Sequence, residues 1–253
     1  MTQSGLEHLW QQILTLLTLW DMMALIALGA MWIFLTYIIE NPPNARPSMS
    51  FLMGSYRRSW FRQMAQRDNR IFDAQILSNL RQSTAFFGSA TMISMGAGAA
   101  VLGNLDRVQT MAEDFSLAVN SDMLLEIKLL LTIGILLHAF LKFVWSNRLF
   151  GYCAVMTAAV PNETDSIDTW RVADRAASLA VTAARAFNRG LRAIYFALAS
   201  TAWLLGPAAL LIAVFVVGLV MLRREFMSQS REAVAQHPSS IALEEHGPDV
   251  TKE

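Results

Sequence analysis

Cysteine is almost missing from this chain. Cys153 stands alone in 253 residues, so no intrachain disulfide can form and no CxxC or zinc-ligand spacing exists. Set in GYCAV, that thiol reads as a small buried apolar residue rather than a nucleophile. Charge is scarce as well: 16% of residues are charged against 54% hydrophobic, a balance unlike that of an ordinary soluble domain of this length. No Arg or Lys precedes Arg46 and no small-residue cleavage signature follows the first apolar run. A removable leader is therefore not expected, and that run should persist as a helix. Catalytic signatures are lacking too. There is no HExxH, GxSxG or Walker loop and no pair of carboxylates within a span. Ser146 and Lys142, four residues apart, imitate a Ser–Lys dyad only in spacing. An enzyme is the least expected reading, and no cofactor or metal is implied.

What the chain does have is apolar runs of spanning length, and the expected fold is all-α: a transmembrane four-helix bundle with two helices extended into the cytoplasm. Residues 6–20 read as an interfacial lead-in with Trp10 and Trp20 at headgroup depth. The expected spans are residues 22–39, 85–103, 123–145 and 193–222, within a single membrane domain of residues 1–227. ENPPNARPS, residues 40–48, stops the first span because repeated prolines cannot continue a helix. No Gly or Pro interrupts residues 55–87, so a cytoplasmic helix should run straight into the second span. Its Phe72, Ile76, Leu80 and Phe87 fall on one face, Asp68, Gln75, Asn79 and Gln82 on another. In the second span Ala90, Ser94 and Gly98 recur every fourth position, as do Gly96 and Ala100. That spacing suits close helix packing, either within the bundle or as a homo-oligomer seam.

Residues 151–167 read as a loop with Pro161, and Thr164, Asp165 and Ser166 are helix N-cap candidates. Beyond it Arg171, Arg175, Ser178, Thr182, Arg185, Arg189 and Arg192 recur at steps of four and three, a polar stripe on a helix whose other side is mostly alanine. That helix should continue into the fourth span, kinked at Gly206 and Pro207. Residues 228–253 read as a polar, disordered tail.

The zero net charge hides segregation. Arginines 46, 57, 58, 62, 67, 70 and 81 lie in the first connection and 148, 171, 175, 185, 189 and 192 in the third, whereas the second holds Arg107 against Asp106, Glu113 and Asp114. Charge here reports topology, not a nucleic-acid partner. The positive-inside rule puts both basic connections in the cytoplasm and, with four spans, both termini outside. Arg223 and Arg224 count against this.

Two constellations are candidates for function. On the third span His138, Lys142 and Trp145 share a face. An intramembrane ionisable group is a functional candidate by default, but Lys142, and Lys128 at the other end, can snorkel to the interface. His138 is either a neutral imidazole hydrogen-bonded in the bundle or a proton relay. The second constellation is cytoplasmic: Arg57, Arg58, Arg62, Arg67 and Arg70, then Arg148, then the stripe from Arg171 to Arg192 with Arg175, Arg185, Asn188 and Arg189, and Asp68, Asp73 and Asp174 as partners. It is either an anion pocket for phosphate-bearing solutes or lipid headgroups, or a positive-inside girdle with internal ion pairs such as Arg70 with Asp73.

Several motifs taken together resemble the membrane family known as domain of unknown function 599, which has bacterial and plant members. They are Asp21, Trp32 and Tyr37; RRSWFRQMAQRDNRIFDAQILSNL from Arg57; FFGSAT from Phe86; KFVWSNRLFGY from Lys142; FNRGLRAIYFALA from Phe187; WLLGP from Trp203; and RREFMS from Arg223. The resemblance implies four spans and an inner-membrane or plasma-membrane location, and it supplies no reaction and no catalytic residue. The expected function is a non-enzymatic scaffold or accessory protein whose basic cytoplasmic helices bind a partner protein or anionic headgroups. The alternative is an oligomeric transporter or channel subunit using His138.

Overall fold

The computed structural model describes residues 17–105, 122–163 and 166–235. The acidic connection with Arg107, most of the lead-in, Thr164, Asp165 and residues 236–253 lie outside the described residues. Among the described residues every regular element is helical: α1 Leu19–Glu40, α2 Met49–Ala65, α3 Ile71–Leu102, α4 Asp122–Ala158, α5 Ile167–Thr201, a 3₁₀ turn Ala202–Leu205, α6 Pro207–Phe226 and α7 Gln229–Ala235. The segments Leu19–Glu40, Ile71–Leu102, Asp122–Ala158 and Pro207–Ala235 are long and apolar enough to cross a membrane. The protein is an all-α membrane protein, as expected.

The chain divides into two compact units. The first contains residues 17–35, 83–105, 122–145 and 186–219; the second contains 36–82, 146–163, 166–185 and 220–235.

In the first unit α1 opens with a capping box. The Asp21 backbone N–H donates to Thr18 Oγ1 (3.2 Å) and the Thr18 N–H donates to Asp21 Oδ2 (3.1 Å), so two otherwise orphaned amides are satisfied reciprocally. The interior packs aromatics: Phe143 lies within 6 Å of Phe87 and Phe187, ring centre to ring centre. Gly190 makes room for them, since a Cβ there would sit 2.8 Å from the Phe143 ring. Gly98 plays the same part against Ile133, while Gly96 faces open space and Ser94 and Ala100 are exposed.

In the second unit the proline segment is closed by one residue. Ser48 Oγ accepts from the Phe51 N–H and caps α2, and it donates to the Ile39 carbonyl (2.7 Å) left open at the end of α1. The core collects Phe61, Met64, Leu77, Leu149, Phe150 and Cys153 over a bed of alanines, Ala173, Ala176, Ala177, Ala180, Ala183 and Ala184. Small side chains on α5 let its neighbours approach closely, and dispersion contacts accumulate with that closeness.

Five sequence expectations change. The helix expected to run unbroken through residues 55–87 breaks between Ala65 and Ile71. Asn69 Oδ1 accepts from the Ile71 N–H (2.9 Å), the local side-chain bond by which Asn competes with helix continuation. The buried face of α3 carries Asp73, Leu77, Thr84 and Thr91, and Phe72 points outward, because Asp73 is drawn in by Trp60 and Arg67. The helix of the third span does not yield to a loop at Gly151 but continues to Ala158, its last turns held by Phe150 and Cys153 in the core. Residues 193–222 are two helices rather than one kinked helix: Gly206 adopts φ 118°, open to glycine without strain, and Pro207 starts α6 with its fixed φ.

The last change concerns the C-terminal tail. The chain enters the first unit at Ala186 and leaves it after Leu219. Within the second unit, the first part of α5 and the C-terminal residues both meet α2. Val181 faces Gly54, and the Tyr56 hydroxyl donates to the Val234 carbonyl (3.2 Å). Ser50 bonds Glu225 and Arg231 bonds the Pro47 carbonyl, so residues 225–235 lie beside the first basic segment. Ser166 is the α5 cap residue that the described part confirms, accepting from the Asp168 N–H. Gln229–Ala235, expected in a disordered tail, is helical.

Candidate functional site

The second unit holds a cavity of about 660 Å³ between the 40–47 segment, α2 and α7. One face of α2 forms its floor: Phe51, Ser55, Arg58, Ser59 and Arg62 repeat at the steps that keep a helical stripe together. The rim is the proline segment, stiff because Pro42, Pro43 and Pro47 have fixed φ. The far wall is α7, with Arg231 and Val234, clasped by the Arg231 Nε bond to the Pro47 carbonyl (2.9 Å) and by Tyr56. Three guanidiniums line the space against one carboxylate, Glu40; Asp174 tempers Arg62 through a loose, solvent-exposed ion pair at 3.4 Å. Hydroxyl donors and the half-exposed Phe51 ring complete an amphiphilic lining.

Arg57, one residue from Arg58, is rotated about 100° away on the helix and does not line the cavity. It donates to the Met53 carbonyl, and burial pulls its pKa below the ordinary arginine value. The floor of the site is braced at the α2–α3 corner. Asp73, fully buried, accepts from the Trp60 indole and from Arg67, each at 2.6 Å. Arg70 does not pair with Asp73. It donates instead to the carbonyls of Val160 (2.5 Å), Pro161 (2.8 Å) and Ala65 (3.5 Å), closing the ends of α4 and α2 at once. Asp68 is exposed at the same corner. Arg148, on α4, donates to the Tyr152 hydroxyl and stacks over that ring.

The polar stripe of α5 splits. Arg171, Arg175, Ser178, Thr182 and Arg185 are exposed while the alanine face opposite is buried. Further along, in the first unit, Asn188 and Arg189 are half-buried and Arg192 is 3% exposed. The predicted cytoplasmic constellation is therefore divided: Arg58 and Arg62 reach the cavity, Arg57, Arg70 and Asp73 hold the fold, and Arg189 and Arg192 belong to the other unit.

In the first unit His138 is exposed and packs edge-on to Trp32, which stacks on Phe196. Lys142 is half-buried and Trp145 exposed. Lys128 does not snorkel. It is 2% exposed, with Nζ 5.6 Å from the centre of the Trp203 ring, and the Trp203 indole donates to Asp21 Oδ1 (2.7 Å). Ser146 is buried and its hydroxyl donates to the Ala183 carbonyl (2.7 Å), which gives it a packing role in place of a dyad. Among the described residues no cluster of His, Cys, Asp or Glu could hold a metal ion.

The family model described as "Protein of unknown function, DUF599" matches residues 23–230. The chain belongs to that family. No curated protein and no solved structure matches it. The matched stretch includes Arg58, Arg62 and the Trp60–Arg67–Asp73 corner and stops one residue short of Arg231. The sequence reading of this DUF599 chain missed Arg231, Tyr56 and Ser59. Arg231 sat in a polar stretch with no periodicity to flag it, and only the packing of α7 beside α2 reveals it.

Proposed function

We propose that this protein is a non-enzymatic accessory or scaffold protein of the bacterial inner membrane or an equivalent plasma membrane, working through a basic surface on its cytoplasmic side. The observation that carries the reading is α5: a face of Arg171, Arg175 and Arg185 stays exposed while the opposite face is consumed by packing. Arginine forks on that surface suit phosphate oxygens of anionic headgroups or carboxylates of a partner protein.

The positive-inside rule then assigns the second unit to the cytoplasm. Since residues 225–235 pack on α2 within that unit, the same rule puts the C-terminal side in the cytoplasm too. A reporter fused after Ser228 should read cytoplasmic; an outside reading rejects this topology. Crosslinking and pull-down from native membranes should recover a partner or anionic lipid with the intact chain and lose it with Arg171, Arg175 and Arg185 all changed to Gln. Unchanged recovery rejects the basic-surface reading. A transport path through His138 would have to be completed by neighbouring copies, because that side chain faces outward from a single chain.

A further inference from the structure

The cavity on α2 differs from the α5 surface in being enclosed on three sides, and we infer that it is a discrete, saturable site for a phosphate ester, its phosphate held between Arg58 and Arg231 and its organic part against Phe51. This deepens the basic-surface reading and rests on it for the side of the membrane. Three observations carry it. The volume, about 660 Å³, is in the range of sites that enclose a small ligand. The lining combines forked cations from two separate elements with the Ser55 and Ser59 hydroxyls and an aromatic face, the donor set that phosphate oxygens and an attached organic group require.

The third observation is compositional. Lysine occurs only at 128, 142 and 252, so every cation of the second unit's described residues is arginine. Retention on the cytoplasmic side needs positive charge alone, and lysine serves that as well. A rigid, planar fork able to take two oxygens at once is what arginine adds. The Arg231 guanidinium donates its Nε–H to the Pro47 carbonyl (2.9 Å), a bond that restrains the fork at the cavity wall and does not use its two terminal nitrogens.

The phosphate ester can come from a membrane lipid or from solution, and two arms separate the sources. Full-length protein is reconstituted in nanodiscs of phosphatidylcholine with or without phosphatidylglycerol, and tightly held phospholipid is counted by native mass spectrometry after extraction. In parallel, detergent-solubilised protein is titrated calorimetrically with glycerol 3-phosphate. We expect near one equivalent bound in one arm or both, with binding weakened about tenfold or more by Arg58→Gln or Arg231→Gln, in line with loss of a charge-assisted bond. Ser55→Trp, which fills the cavity without altering charge, should abolish it. Changing Arg171, Arg175 and Arg185 to Gln should leave this stoichiometric binding intact even where it lowers general adhesion to anionic bilayers. Retention of lipid alone identifies a headgroup site; binding of glycerol 3-phosphate alone identifies a solute site. No equivalent in either arm, or binding untouched by Ser55→Trp in a protein with an unchanged melting temperature, overturns the site while leaving the α5 surface standing.

Discussion

Each unit is built around a buried aspartate that accepts an indole N–H, and the two differ in what supplies the positive charge. In the first unit Asp21 takes Trp203 at 2.7 Å while the Lys128 ammonium lies over the same ring, and all three are 3% exposed or less. In the second unit Asp73 takes Trp60 at 2.6 Å, and its cation, Arg67, keeps 43% of its side chain exposed. Asp21 has both oxygens bonded, one to Trp203 and one to Thr18. Asp73 Oδ2 is buried and accepts no hydrogen bond among the described residues. In the first unit the whole triad is closed off from water and matched by protein partners, whereas in the second the carboxylate is buried and only its cation is hydrated. The first arrangement joins three helices, α1, α4 and the turn before α6; the second ties one corner and orients the floor of the cavity.

That contrast can be broken by substitution, with thermal unfolding in detergent as the common measurement. The largest effect belongs to Asp21→Leu, which removes the reciprocal half of the α1 cap and the indole partner and takes a negative charge from beside the buried Lys128. A loss of about 3–5 kcal/mol is expected, partly recovered when Lys128→Met is added. No recovery in the double variant would mean that the two charges do not share a site. Asp73→Leu should cost less, about 2–3 kcal/mol, because Arg67 can turn to water while only the Trp60 bond is forfeited. It should also weaken phosphate-ester binding at the neighbouring cavity, and an unchanged affinity would separate the corner from the site.

The tryptophans sharpen the comparison further. Trp203→Phe removes a fully buried bond to a carboxylate and should cost about 2 kcal/mol, and Trp60→Phe, half-exposed, should cost less. The reverse order would show that the corner, not the three-helix junction, carries the stability. Smallest of all is Arg67→Gln, expected at about 1 kcal/mol or below since its side chain is largely hydrated. A loss as large as that of Asp73→Leu would show that the exposed ion pair behaves as a buried one.

Much of this was legible in advance. Apolar length marked the spans because a helix that must satisfy its own backbone in lipid needs about twenty apolar residues, a requirement written directly in composition. The alanine face of α5 and the exposed stripe from Arg171 to Arg185 followed from a period of 3.6. Arg192 broke that pattern because the same stripe enters the packed interior of the first unit, which periodicity cannot register. Lys128 read as an edge group for a related reason: its distance from the helix end allowed snorkelling, and nothing local announced that Trp203, seventy-five positions later, would cover it.

The helices themselves, their caps at Thr18 and Ser48, the stop at the paired prolines and the break at Gly206 are determined locally, by backbone dihedrals and by side chains within a few residues. Which aspartate goes inward, where α2 ends against α3, and what the C-terminal residues pack against were decided only by tertiary structure. Each depends on partners far apart in the chain: Asp21 with Trp203, Arg70 with Pro161, Arg231 with Pro47. The energies of such pairs exist only after the helices have packed, so the cavity of Arg58 and Arg231 is a property of the fold, assembled from two stretches that carry no mark of one another in the sequence.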